Sequence, residues 1–135
     1  MKPVWQESYS VFWHSNCFSK NGGPMNIEQL TMKLIVESGT AKSKDMEAIE
    51  SARNGDIQEA QRLHAESDKS LTAAHEIQTD LIQEEADGAE SDASMILVHA
   101  QDHLMSAILV HDFAQEFINL YERVKRIEKQ GGKLI

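Results

Sequence analysis

MILVHAQDHLMSAILVHDFAQEFINLY, residues 95–121, decides how this chain folds. Taken at a stride of three and four residues, Leu97, Ala100, Leu104, Ala107, His111, Ala114, Ile118 and Tyr121 fall on one stripe of a helix, because a turn takes 3.6 residues. A second stripe is as complete: Val98, Asp102, Met105, Leu109, Phe113, Phe117, Leu120, Val124 and Ile127. A surface helix in a monomeric three-helix bundle needs one apolar face and keeps the other wet. Two faces predict that the first stripe packs inside the protomer and the second lines the axis of a symmetric oligomer. The alternative is one broad stripe buried within a monomer.

Upstream, Pro is absent after Pro24, and turn signals fall at two places, Asn54-Gly55-Asp56 and Asp87-Gly88-Ala89-Glu90-Ser91-Asp92. They divide residues 26 onward into three long segments without sustained apolar and polar alternation, which argues against strands. Gly55 suits the left-handed residue that follows a helix, Asp56 with Glu59 reads as a capping pair, and Ser91 or Asp92 can cap the third segment. The first segment places Ile27, Leu30, Leu34, Ala41, Ala48 and Ala52 on one stripe, and the second Ile57, Ala60, His64, Ser67, Leu71, Ala74, Gln78 and Leu81. Small side chains dominate both, so helix axes can approach closely, and a tight contact would excuse Gly39 beside Ser38 in mid-helix. Met32, Met46, Met95 and Met105, at helical spacings, are expected in the core rather than in a soft-metal site. The expected fold is all-α, an antiparallel three-helix bundle that completes itself by oligomerisation.

The first 24 residues are a different kind of sequence. They hold Trp5, Tyr9, Phe12, Trp13 and Phe18 and end in Asn21-Gly22-Gly23-Pro24, so residues 1–24 are expected to be a loosely ordered extension and residues 25–135 the folded domain. Gln6, Glu7, Ser8, Ser10 and His14 interrupt every apolar run there, which excludes an export signal. Over the whole 135 residues, 13 Lys and Arg stand against 22 Asp and Glu, a formal charge of -9. Without a basic block this chain has no obvious face for nucleic acid. Cys17 is the one cysteine, so neither an internal disulfide nor a cysteine zinc module is available. The longest apolar runs, Met95 to Val98 and Ala107 to Val110, fall far short of the roughly 20 residues that cross a bilayer. A cytoplasmic protein with no direct membrane insertion is expected.

The chemistry concentrates where the quoted stretch begins. His99, Asp102 and His103 stand at i, i+3 and i+4, on one side of a helix. Asp102 interrupts the second apolar stripe, where an unpaired carboxylate is costly. If copies of the helix meet at an axis, copies of Asp102 face one another, and a divalent cation or shared protons must relieve the repulsion; oxygen ligands suit magnesium or calcium. His99, one residue from Val98, would sit at the edge of that interface, within a partner's reach. Three readings of the histidines stand open. They could ligate a metal together, although Ala100 occupies the place of the general-base Glu in a zinc-peptidase helix. They could satisfy a bundle contact. Or one is a nucleophile, since imidazole, with a free pKa of about 6.5, can accept and release a phosphoryl group near neutral pH.

These residues also carry a resemblance. From Met25 to about Gln130 the chain resembles enzyme IIA of the lactose and diacetylchitobiose/cellobiose branch of the bacterial sugar phosphotransferase system, through His99-Ala100-Gln101-Asp102-His103-Leu104-Met105, Ala74-His75-x-x-Gln78-Thr79 and Ser38-Gly39-x-Ala41-x-Ser43. The resemblance implies a homotrimer of three-helix protomers, a phosphohistidine at His99 and a structural Mg2+ at the trimer axis held by Asp102. It further implies a relay in which the histidine-containing phosphocarrier protein phosphorylates His99 and a Cys of enzyme IIB receives the group, for uptake of a β-linked disaccharide. Ala100, where lactose-type members tend to have Gly, leans towards the diacetylchitobiose/cellobiose type. Consistently, the sequence has no nucleotide-binding Gly-x-x-x-x-Gly-Lys loop. Gln101, or a polar group of a neighbouring protomer, is expected to orient His99, and His103 to hydrogen-bond within the site or fill the interface. His75, His64 and His111 are expected to pack between helices. The rival from another class is a non-enzymatic, metal-stabilised helical oligomer acting as a scaffold.

Overall fold

A computed structural model of the chain describes residues 26–87 and 95–131. Within them the protein is three helices and no strand: α1 (Ile27–Arg53), α2 (Ile57–Ala86) and α3 (Met95–Lys129). The expected extension over residues 1–24, and the expected cap of α3 at Ser91 or Asp92, lie outside the described residues.

Local chemistry sets the helix ends. Asn26 Oδ1 accepts from the Gln29 backbone N–H at 2.9 Å while Gln29 Oε1 accepts from the Asn26 N–H at 3.2 Å, a reciprocal cap that satisfies two otherwise orphaned donors. At the other end of α1, Gly55 takes φ 86°, its N–H donates to the Ala52 carbonyl at 2.9 Å, and the Asp56 N–H donates to the Ser51 carbonyl at 2.9 Å. This closes the last turn and reverses the chain. Asp56 Oδ1 then accepts from the Glu59 N–H at 3.0 Å and starts α2. The three helices run up, down and up: the amino-terminal half of α1 packs with the carboxy-terminal half of α2 and the start of α3, and its carboxy-terminal half with the start of α2 and the end of α3.

The core follows the sequence stripes closely and is built from small residues. One cluster holds Leu30, Leu34, Ala41, Leu71, Ala74, Ile77, Leu81, Ala100, Leu104 and Ala107; a second, at the Gly55 end, holds Ala48, Ala52, Ala60, Leu63 and Ile118. Leu63 and Ile77 are inside although the stride through α2 passes over them, while His64 and Gln78 are half-buried. Between the two clusters every helix contributes a polar residue at the same level: Asp45 on α1, His64 and Ser67 on α2, His111 on α3. The second stripe of α3 is bare. Val98, Met105, Leu109, Phe113, Phe117 and Leu120 are exposed, Met105 to 58% and Phe113 to 54%. All the buried residues of α3, Ala100, Leu104, Ala107, Ala114 and Ile118, belong to the first stripe, so the broad-stripe alternative does not hold.

Two packing expectations are corrected. Gly39 is in no tight contact, since a Cβ added there would meet nothing within 4 Å. The methionines are not core: Met32, Met46, Met95 and Met105 all face outward, because each lies beside rather than on the buried stripe of its helix. The glycine result makes an opposed pair of predictions. Gly39→Ala is expected to stabilise by about 0.5–1 kcal/mol, since an unstrained helix interior favours Ala. Gly55→Ala is expected to destabilise by about 1–2 kcal/mol, because its backbone is left-handed. The urea midpoints should therefore move in opposite directions, and a shift of both the same way would contradict these backbone assignments.

Candidate functional site

The run from Val98 to Met105 is about two turns near the start of α3, and the helical period distributes its polar groups around the axis. Ala100 and Leu104 are fully buried and fix the orientation of α3 on the other two helices. His99 is therefore turned to solvent, next to the exposed Val98 at the head of the uncovered apolar stripe. His103, one turn on and half-buried, meets it edge-to-face, with ring centroids 4.5 Å apart. Asp102 is exposed within the stripe, and no hydrogen bond or ion pair engages it among the described residues of one protomer.

Gln101 points elsewhere. Its side-chain oxygen accepts a 2.7 Å hydrogen bond from Gln78 Nε2 on α2 and makes none with His99. Residues two apart on a helix do not face each other, so within a protomer Gln101 ties α3 to α2 beneath the histidine pair instead of orienting His99 directly. His75 does not pack between helices. It is exposed, one step round α2 from the buried Ala74, its ring makes no hydrogen bond among the described residues, and its carbonyl also accepts from Thr79 Oγ1 at 3.0 Å.

His64 and His111 do face inward, and there they meet a residue that the sequence reading passed over. Asp45 is completely buried; its Oδ1 accepts from His64 Nδ1 at 2.8 Å, and its Oδ2 from His111 Nδ1 at 3.0 Å. The Ser67 hydroxyl lies 2.5 Å from the same Oδ2 and 2.9 Å from the Ala41 carbonyl, and shares its proton between them. The two imidazoles stack, with centroids 4.1 Å apart and 15° between planes. Burial alone would push the Asp45 carboxyl up, but the hydrogen bonds from His111, His64 and Ser67, with the charge on His111, outweigh it and hold the group below its ordinary value. His111 is raised, chiefly by its hydrogen bond to Asp45, against burial and with help from the charges of Asp45, Asp68 and Asp112. The signal was in the sequence: the stripe Leu34, Ser38, Ala41, Asp45, Ala48, Ala52 puts a carboxylate at a core position of α1.

Fold and surface together define the class: a three-helix bundle that presents a pair of histidines, His99 exposed and His103 half-buried, beside an apolar stripe and a carboxylate without partners among the described residues. Comparison with known proteins supplies the family. Residues 29–122 match the family model described as PTS system, Lactose/Cellobiose specific IIA subunit, and the chain belongs to that family of phosphotransferase-system IIA components. It is similar to the lichenan-specific phosphotransferase enzyme IIA component of Bacillus subtilis, with 41% identity over 108 residues, which is 80% of this chain and 96% of the relative. Among solved structures it resembles the PTS cellobiose-specific enzyme IIA from Bacillus anthracis, with TM-score 0.71 and 43% identity over 76% of this chain and 94% of that one. It also resembles a chain of the IIA(Chitobiose)-HPr complex of the N,N'-diacetylchitobiose branch of the Escherichia coli phosphotransferase system, with TM-score 0.66 and 37% identity over 75% of this chain and 98% of that one. Among the described residues no helix is long and apolar enough to cross a membrane.

Proposed function

We propose that this IIA component relays a phosphoryl group through His99. The histidine-containing phosphocarrier protein presents its phosphohistidine, the lone pair of the neutral His99 imidazole attacks phosphorus, the donor N–P bond breaks and a new N–P bond forms. A Cys thiolate of enzyme IIB then takes the group by the same in-line displacement, forming S–P and restoring the imidazole. Such transfers need positioning and stabilisation of the equatorial oxygens rather than a nucleotide site. The observation that carries the reading is the exposed imidazole of His99 at the border of the uncovered stripe, where a partner can reach it. The likeness to a IIA protein solved with HPr supports the donor side. His103 buttresses His99 through the edge-to-face contact, and Gln101 holds the helix through Gln78. The sugar taken up downstream is a β-linked disaccharide; relatives are named for lichenan, N,N'-diacetylchitobiose and lactose.

The apolar stripe is covered by two further copies of the chain, giving a cytoplasmic homotrimer with α3 at the axis. Asp102 fits a hard divalent cation there, because it is exposed, unpartnered and surrounded by side chains that association would bury. Mg2+ held by the Asp102 copies would neutralise their mutual repulsion and takes no part in phosphoryl transfer. Sedimentation should show a trimer, and Asp102→Leu should assemble without any metal requirement; a monomer under the same conditions would contradict the axis.

The relay itself is tested by incubating the protein with phosphoenolpyruvate, enzyme I and the phosphocarrier protein. An acid-labile, base-stable label that is discharged on adding the cognate IIB is expected. Absence of label would favour the rival, a metal-stabilised scaffold without enzymatic activity, for which the bare stripe and Asp102 would suffice.

A further inference from the structure

The polar layer that divides the two core clusters has the composition and placement of a metal centre. We propose that Asp45, His64 and His111 form an intraprotomer site for a divalent transition-metal ion of the zinc class, with one ligand from each helix. One ligand atom from each residue, the two imidazole nitrogens and a carboxylate oxygen, lies within 4.8 Å of the others. Both rings already aim Nδ1 at the same carboxylate, at 2.8 and 3.0 Å. Tetrahedral ligands about 2.0–2.1 Å from an ion are about 3.3 Å apart; each ring already has one carboxylate oxygen at about that distance, His64 at Oδ1 and His111 at Oδ2, and rotation of the rings and of the carboxylate would bring both nitrogens round one ion. Ser67 Oγ or a water completes four-coordination.

The proton inventory balances without a co-reactant. Each neutral imidazole carries one proton, now on Nδ1 because a carboxylate offers only lone pairs. Binding at Nδ1 leaves each neutral ring protonated at Nε2, a second proton that Asp45 holds on His111 is released to solvent, and the ion neutralises a carboxylate that has no Lys or Arg partner among the described residues. For His111 the outward proton has a carboxylate close by, Asp68 Oδ1 at 3.7 Å from Nε2, which a small side-chain movement would bring within hydrogen-bond distance. Ligating histidines commonly hand their second N–H to a carboxylate in this way. An entry path exists as well: Asp45 is sealed, but both imidazole side chains are 16% exposed. Two nitrogen donors select a borderline transition metal over magnesium or calcium, which sets this centre apart from the all-oxygen Asp102 position. It is also distant from the relay face, His111 being twelve residues, or about 18 Å of helix, beyond His99.

The test uses the full chain stripped of metal with a chelator and titrated with Zn2+ by calorimetry and with Co2+ by visible absorption. The expected result is one ion per protomer with an intense tetrahedral Co2+ spectrum, retained in Asp102→Leu and in the double variant His99→Gln/His103→Gln. His64→Gln and His111→Gln should each weaken binding by at least about tenfold. As a check that does not depend on those variants folding, Zn2+ should shift the imidazole 15N resonances of His64 and His111 in the wild type. No binding by the wild type, binding unchanged by both His64→Gln and His111→Gln, or shifts confined to His99 and His103 would overturn the proposal, leaving a hydrogen-bonded triad only.

Discussion

His99→Gln is expected to abolish phosphoryl acceptance completely while leaving the fold intact. Glutamine matches the reach of the imidazole but offers no nitrogen lone pair able to attack phosphorus, so removing the nucleophile removes the covalent intermediate and not a fraction of the rate. The position is exposed, and its helix is anchored by Ala100, Leu104 and the Gln101–Gln78 bond, none of which the change touches. Stability should stay within about 0.5 kcal/mol of wild type, as for most surface substitutions. His103→Gln is the informative companion. It loses the edge-to-face support at 4.5 Å but keeps the acceptor, so it should slow transfer without preventing it. Label on His99→Gln, or complete loss in His103→Gln with normal labelling of His99→Gln, would reassign the roles.

The largest effect on stability is expected from Asp45→Ala, at about 3–5 kcal/mol. That carboxylate accepts from His64, His111 and Ser67 at the level where all three helices meet, and deleting it leaves three donors facing one another in a part-buried space. Asp45→Asn, which keeps one acceptor oxygen and turns an N–H₂ towards a histidine donor, should cost less, about 1–3 kcal/mol. The network also carries a pH signature, to be measured in metal-free buffer. A raised histidine contributes stability that is complete below its unfolded pKa of about 6.5 and is lost as pH rises through its folded value. A lowered carboxyl contributes stability present above its unfolded pKa of about 4 and lost as pH falls through its folded value. The layer therefore stabilises most between about pH 4 and about pH 6.5. Unfolding free energy should fall on going from about pH 6 to about pH 8 by an increment that His111→Gln removes. An increment that survives in His111→Gln belongs to other groups.

Much of this was legible in the chain because helical periodicity is a strong code. The two stripes of residues 95–121 separated correctly into a buried and a bare face, and Asn54-Gly55-Asp56 set the first turn through backbone geometry that only a few residue types favour. What failed were judgements about side-chain partners, which periodicity does not carry. Gly39 seemed to demand a close neighbour, but a tolerated backbone cost needs none. Met32 and Met46 have core-like chemistry at positions about 100° off the buried stripe, and position prevailed. His64 and His111 were placed on inward seams without their reason for being there, because the α1 stripe was followed through its apolar members, Leu34, Ala41, Ala48 and Ala52, and passed over Asp45 between them. The contact that Gln101 makes within the chain lies across helices, with Gln78, which the stride along a single helix does not display.

The relay is defined by which nitrogen-bearing side chain receives the phosphoryl group, and residue-level mapping of the phosphorylated protein decides it. After charging through the phosphocarrier protein, peptide mass spectrometry under basic conditions, or phosphorus-coupled imidazole resonances, should place a single phosphate per protomer on His99, with His75, His103 and His111 unmodified. Phosphate on His103 or His75 with His99 free would contradict it.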